Sequence, residues 1–119
     1  MKKRNIVKEN KEFNRIRINT KPYKSKSFII YLEKNTNIDC YKFGISVGKK
    51  IGNAVIRNKL KRQIRNIIDK NDYQNQFKCI IILKKRILDL CYDEIENELI
   101  ENFKKLEIIK ENDDEKKDY

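Results

Sequence analysis

The stretch GNAVIRNKLKRQIRNII, Gly52 to Ile68, decides how the rest of the chain is read. At about 100° per residue, Ile56, Leu60, Ile64 and Ile67 fall on one narrow stripe with Ile68 at its edge, which predicts a helix docked through that stripe. Asn53 stands where an N-cap is needed, because its side-chain oxygen can accept from the free amides of the first turn. Arg57, Asn58, Lys61, Arg62 and Arg65 gather on the adjacent flank, and Lys59, Gln63 and Asn66 take the remaining face. Most charge runs on helices are simply solvated. A solvated face, however, alternates Glu with Lys at i, i+4, and no acidic residue lies between Gly52 and Ile68. Like charges stacked at that spacing cost a few tenths of a kcal/mol per pair until a polyanion neutralises them. Arg is also prominent here in a chain otherwise dominated by Lys, and Arg grips phosphate bidentately where Lys offers a point charge. The flank therefore reads as a phosphate-binding surface.

Outward from this helix, CYKFGISVG (Cys40–Gly48) precedes it and alternates as a strand does, with Lys49 and Lys50 in the connection. SFIIYLEK (Ser27–Lys34) is rich in β-branched and aromatic residues and reads as another strand, a hairpin partner of the first across the turn NTNID. After the helix, FKCIIILKK (Phe77–Lys85) has the continuous apolar centre of a strand buried on both faces. Tyr92, Ile95, Leu99, Phe103 and Leu106 are spaced for one buried stripe of a last helix. Near the start, Asn10 is a candidate cap for a short helix from about Lys11 to Ile18, with Phe13 and Ile16 on one face and Pro22 ending the segment. The opening MKKR reads as a loose basic arm. The order helix, strand, strand, helix, strand, helix predicts an α+β sandwich: a mixed sheet of three to four strands with one face partly uncovered by helices. One RNA-binding domain is expected over residues 1–106, followed by a charged, disordered tail over 107–119.

Composition agrees with a polyanionic partner. The 119 residues fit one small domain, and 29 basic against 18 acidic residues leave a formal charge of +11 and a pI near 9.6. Most acidic residues lie at or beyond Asp89, so the earlier part is more basic still, although the abundance of Lys, Ile and Asn also reflects an AT-rich genome. No segment reaches the ~20 apolar residues needed to span a bilayer, and the basic start lacks the apolar core of a signal peptide; no membrane association and a cytoplasmic location are expected. Cys40, Cys79 and Cys91 are odd in number and well separated, which favours free thiols, two of them buried, over a disulfide or a metal site.

RNKLKRQIR (Arg57–Arg65), preceded by FGISVGKKIGNAVI, resembles the signature of the bacterial ribonuclease P protein subunit: Arg-Asn-Arg, one residue, Lys-Arg, two residues, Arg, after a lead-in of the Lys-Lys-x-Gly-x-Ala-Val type. The likeness runs from MKKRNIVKENKEF through CIIILKK into YDEI and leaves out only the tail. In that family the protein is the non-catalytic component of an endoribonuclease holoenzyme whose large RNA removes the 5′ leader of precursor tRNA. The resemblance implies that the protein binds the catalytic RNA and the leader, raising substrate affinity and the affinity for magnesium ions held mainly by the RNA. It implies no metal on the isolated protein and no obligate protein partner. It also implies a left-handed βαβ crossover through the Arg-rich helix, whereas general rules favour the right hand.

Carried onto this sequence, the resemblance places Lys49, Lys50, Asn53, Arg57, Asn58, Lys59, Lys61, Arg62 and Arg65 against the catalytic RNA. It places Phe13, Arg17, Tyr31 and Lys84 around a leader-binding cleft between the first helix and the sheet. Stacking of unpaired bases on aromatic faces, with cations tracking the backbone, is the chemistry such a cleft needs; for Phe13 and Tyr31 a plain core role competes with it. The sequence departs from the family at several points: Lys59 stands for the second Arg of the motif, Lys84 for a frequent Arg and Arg86 for a frequent Pro. Arg17 occupies a position that often carries a second aromatic, and Arg too can stack.

Rival readings are weaker. A protein-only nuclease would lack His altogether and would have only scattered carboxylates in the basic part, such as Glu33, Asp39, Asp69 and Asp72. Nothing supplies the partner helix or dimer seam that a helix-based DNA binder needs. A ribosomal or other structural RNA-binding protein is compatible with composition and requires a functional test.

Overall fold

A computed structural model describes residues 1–34 and 37–110. Strands β1 (Pro22–Lys24), β2 (Phe28–Lys34), β3 (Tyr41–Ser46) and β4 (Phe77–Leu83) form one mixed sheet in the order β1-β2-β4-β3. Helices α1 (Asn10–Asn19), α2 (Ala54–Asp69) and α3 (Tyr92–Lys105) pack around it. The expected α+β class and sheet size are found, and β3–α2–β4 is a parallel βαβ unit because β3 and β4 are parallel neighbours.

Strands β2 and β3 are not a hairpin. Both flank β4, antiparallel to β2 and parallel to β3, so that Lys34 and Tyr41 both align with Phe77. The physical reason lies in β4 itself. Phe77, Cys79, Ile81 and Leu83 are buried on one face and Ile80 on the other, and only a central position covers both faces of such a strand. The hairpin that does form joins β1 to β2, with Tyr23 opposite Ile30. Pro22 thus opens a three-residue edge strand rather than only ending a helix, a place where its missing N–H is tolerated.

The main core fills the sheet face carrying Phe28, Ile30, Phe43, Cys79 and Ile81, under α2 and α3. Tyr41, Phe43, Tyr73, Phe77 and Phe103 meet there with ring centroids 5.0–5.8 Å apart. Cys40 and Cys79 are buried free thiols and Cys91 is exposed. The other face carries a smaller cluster of Val7, Ile16 and Ile80, with Phe13, Tyr31 and Ile82 packed against it. Among the described residues α1 and the segment around Val7 cover that face, in keeping with a partly uncovered sandwich.

Several boundaries differ from expectation. Glu9, not Asn10, precedes the first turn of α1, without a side-chain capping bond. The opening MKKR is no loose arm: Lys3–Asn5 form a 3-10 turn and the Met1 amino group pairs with Asp69 at 3.0 Å. Just beyond it Asn5 and Val7 are buried, Asn5 Nδ2 donates to the Tyr41 carbonyl at 2.7 Å, and Val7 N–H donates to the Phe43 carbonyl at 2.9 Å along the β3 edge. Packed chain also continues past residue 106. Ile108 and Ile109 are buried, and Ile109 bridges to Tyr73, because these two apolar residues close the open side of the main core. The tail expected from 107 therefore cannot begin before Lys110; residues 111–119 lie outside the described residues. No helix among the described residues is long and apolar enough to cross a membrane.

Candidate nucleic-acid interface

Helix α2 is capped as its sequence demands: Asn53 Oδ1 accepts from Ile56 N–H at 3.0 Å. Leu60, Ile64, Ile67 and Ile68 are buried, but Ile56 is 39% exposed, a correction to the predicted stripe. The first turn stands clear of the core and Ile56 folds back over Gly52, while Ile51 of the connecting loop is buried in the main core. Lys49 and Lys50 project from the turn Gly48–Ile51, closed by Ile51 N–H to the Gly48 carbonyl at 3.1 Å.

The basic flank is intact and uncompensated. Asn58, Lys59, Arg62 and Arg65 are exposed, and Arg57 and Lys61 are half-buried. Among the described residues none of these cations, nor Lys49 or Lys50, pairs with a carboxylate, whereas Arg15, Lys70, Lys78 and Lys105 all do. The buried Arg57 Nε also has no hydrogen-bond partner among the described residues.

Between α1, the free end of the β3 edge and α2 lies a cleft of about 510 Å³. Its walls are Phe13, Asn14 and Arg17 from one side and Lys61 and Arg65 from the other; Gly44 to Val47 form the floor. Phe13 is half-buried, its ring resting over Gly44 and Ile80, so it is both a packing residue and part of the cleft wall. Arg17 holds its guanidinium 5.9 Å from the centroid of Tyr31, which lies on the same sheet face outside the cleft lining. Lys84 is not brought to the cleft: its Nζ donates to the Ser25 carbonyl at 2.7 Å and fastens the β1–β2 turn. That turn is further held by Glu98, which accepts from Ser25 Oγ, Ser27 N–H and Ser27 Oγ at 2.7–2.8 Å. Burial pushes the Glu98 carboxyl up, but these three bonds together hold it below the usual carboxylate range.

Of the residues expected at the two surfaces, the fold brings Lys61 and Arg65 to the same cleft as Phe13 and Arg17 and leaves Tyr31 and Lys84 outside its lining. Sequence reading missed Asn14, Ser46 and above all Gly44. A glycine in the middle of an alternating strand was the available signal.

Helix α1 is positioned by charge as much as by packing. Ile16 is its one fully buried side chain. Arg15 bonds Glu33 of β2 at 2.6 and 2.8 Å and Glu12 at 2.7 Å, and Lys78 of β4 pairs with Glu12. Arg15, then Lys78, hold the Glu12 carboxyl down at about 2.

Comparison with known proteins agrees. Residues 1–107 match the family model described as Ribonuclease P. The chain is 45% identical to the ribonuclease P protein component of Mycoplasma capricolum over 109 residues, covering 89% of this chain and 99% of the relative. It is 35% identical to that of Bacillus cereus over 107 residues, covering 88% and 93%. Among solved structures, the Staphylococcus aureus RNase P protein superimposes with a TM-score of 0.81 at 32% identity, covering 89% of this chain and 98% of that one. The Thermotoga maritima RNase P protein does so with a TM-score of 0.75 at 26% identity, covering 83% and 94%. Matched over residues 1–107 and in its fold, the chain belongs to the ribonuclease P protein family.

Proposed function

We propose that this chain is the protein subunit of a ribonuclease P holoenzyme, binding the catalytic RNA through the α2 flank and the 5′ leader of precursor tRNA in the cleft beside it. The observation that carries this is the meeting of Phe13 and Arg17 with Lys61 and Arg65 around one cleft, next to cations that no carboxylate neutralises. An unpaired strand offers bases to stack and phosphates to track, and a cleft with an aromatic on one wall and cations on the other suits both. A leader so held lies beside the RNA bound to α2, and the two surfaces would act together in raising substrate affinity.

The chemistry belongs to the RNA in this reading. Among the described residues no three His, Cys, Asp or Glu side chains come together to hold a metal ion. Magnesium would supply the attacking hydroxide and stabilise the phosphate transition state within the RNA. The protein's own part is to offset phosphate charge, so that RNA and substrate associate at lower magnesium.

Reconstitution tests this directly. Purified chain, freed of RNA, is mixed with its cognate catalytic RNA at a magnesium concentration where that RNA alone is slow. We expect cleavage of precursor tRNA to be restored and the RNA-free chain to cleave nothing. Lack of stimulation would leave a structural RNA-binding protein as the better reading, and cleavage by the RNA-free chain would make it a nuclease.

A further inference from the structure

We infer that Gly44 is a positioning residue for leader binding, leaving the space in which the Phe13 ring is seated against the sheet. This rests on the reading of the cleft given above. A glycine inside a strand weakens it and is kept for a left-handed backbone, a bulge or a close approach. The first two do not apply: Gly44 has no positive φ, and it pairs with Ile80 in unbroken register between Phe43–Cys79 and Ile45–Ile81. Close approach remains. A Cβ on Gly44 would lie 2.6 Å from Cζ and 3.0 Å from Cε2 of Phe13, and 2.9 Å from Cδ1 of Ile80. The other two glycines of the chain are different: a Cβ on Gly48 would meet open space, and the nearest atoms to one on Gly52 are those of Ile56 in the adjoining helix turn.

A methyl group at this point must displace something. Ile80 is fully buried at the sheet centre and has nowhere to go. Helix α1 is held by the buried Ile16, by the Arg15 bonds to Glu33 of β2 and by the pair of Glu12 with Lys78 of β4. Phe13 is the half-buried neighbour with free space beside it, so its ring moves, and the free space is the cleft. Gly44 thereby sets both the depth of the cleft and the height of the aromatic wall against which a base would stack.

The test compares Gly44→Ala, Phe13→Ala and the double variant, in the full chain and in the reconstituted holoenzyme. In the free protein, the parent should show a nuclear Overhauser contact between the Phe13 ring and the Ile80 δ-methyl group, absent from G44A. In the holoenzyme, G44A and F13A should each reduce affinity for long-leader precursor relative to mature tRNA, by about tenfold for one lost stacking contact. The double variant should be no worse than F13A alone. If the methyl also impairs folding, F13A should relieve that defect, since it empties the contested space. A retained Overhauser contact, losses that multiply in the double variant, or a folding defect that F13A leaves in place each overturn the inference. A leader-specific loss in F13A without one in G44A overturns it while the leader cleft stands. No leader-specific loss in either, with the ring displaced, removes the leader cleft itself and the role of Gly44 with it.

Discussion

Leu60 is 6% exposed and Ile64 fully buried, whereas Ile56, on the same helical stripe, is 39% exposed. Replacing Ile64 with Ala should therefore cost about 2–5 kcal/mol, the range for a large aliphatic side chain removed from a rigid core. Replacing Ile56 should cost less than about 1 kcal/mol, as for a surface position. Urea unfolding checks this: I64A should lower the midpoint with the slope unchanged, I56A should barely move it, and equal shifts would put the first turn back into the core. Periodicity locates the face of a helix but not the point where the helix enters the core. Here the loop residue Ile51 is buried while Ile56, five residues on, is not, and the helix enters the core only at Leu60. Phe13 was ambiguous for a related reason, since a half-buried ring serves core and cleft at once.

At the scale of elements, α1 is the most exposed to change in conditions. Ten residues make a marginal helix in isolation, so its order depends on docking. The Glu12 carboxyl titrates near 2 in the folded chain against 4.5 unperturbed, because Arg15 and Lys78 favour its charged form; Arg15 lowers Glu33 in the same direction. A depressed folded value means that the stabilisation is complete above about pH 5 and is lost as pH falls from about 4.5 towards 2. Amide protection factors of α1 should fall across that window, and Glu12→Gln should begin lower and change less, keeping only the share due to Glu33. Equal acid loss in E12Q and the parent would deny Glu12 this role. The anchors join Arg15 to Glu33 and Glu12 to Lys78, separations that local patterning does not see. The same blindness hid the strand order: β2 and β3 read as neighbours because their connection is short, while the doubly apolar β4 takes the place between them. A three-residue strand at Pro22 is defined only by its pairing, so composition could not reveal it.

For the whole molecule, the question is how a chain of charge +11 directs that charge. Lys70, Lys78, Lys105 and Arg15 are paired with the chain's own carboxylates, whereas among the described residues no cation of the Arg57–Arg65 stretch is. This much was legible in the sequence, because the absence of acid from Gly52 to Ile68 needs no tertiary information; its junction with the cleft was not, since it depends on where α1 lands. The two levels separate experimentally. Arg62 lies outside the cleft lining and Arg65 within it. Reversing either to Glu should weaken binding of the catalytic RNA and reduce the salt dependence of that binding by about one unit of slope per lost phosphate contact. Arg62→Glu should affect precursor and mature tRNA alike, whereas Arg65→Glu should add a loss confined to substrates with a leader. Lys105→Glu, which breaks an exposed pair with Glu101 on α3, provides the control of equal charge change and should leave the slope nearly unaltered. A fall in slope common to all three would mean that net charge, rather than the α2 face, governs association.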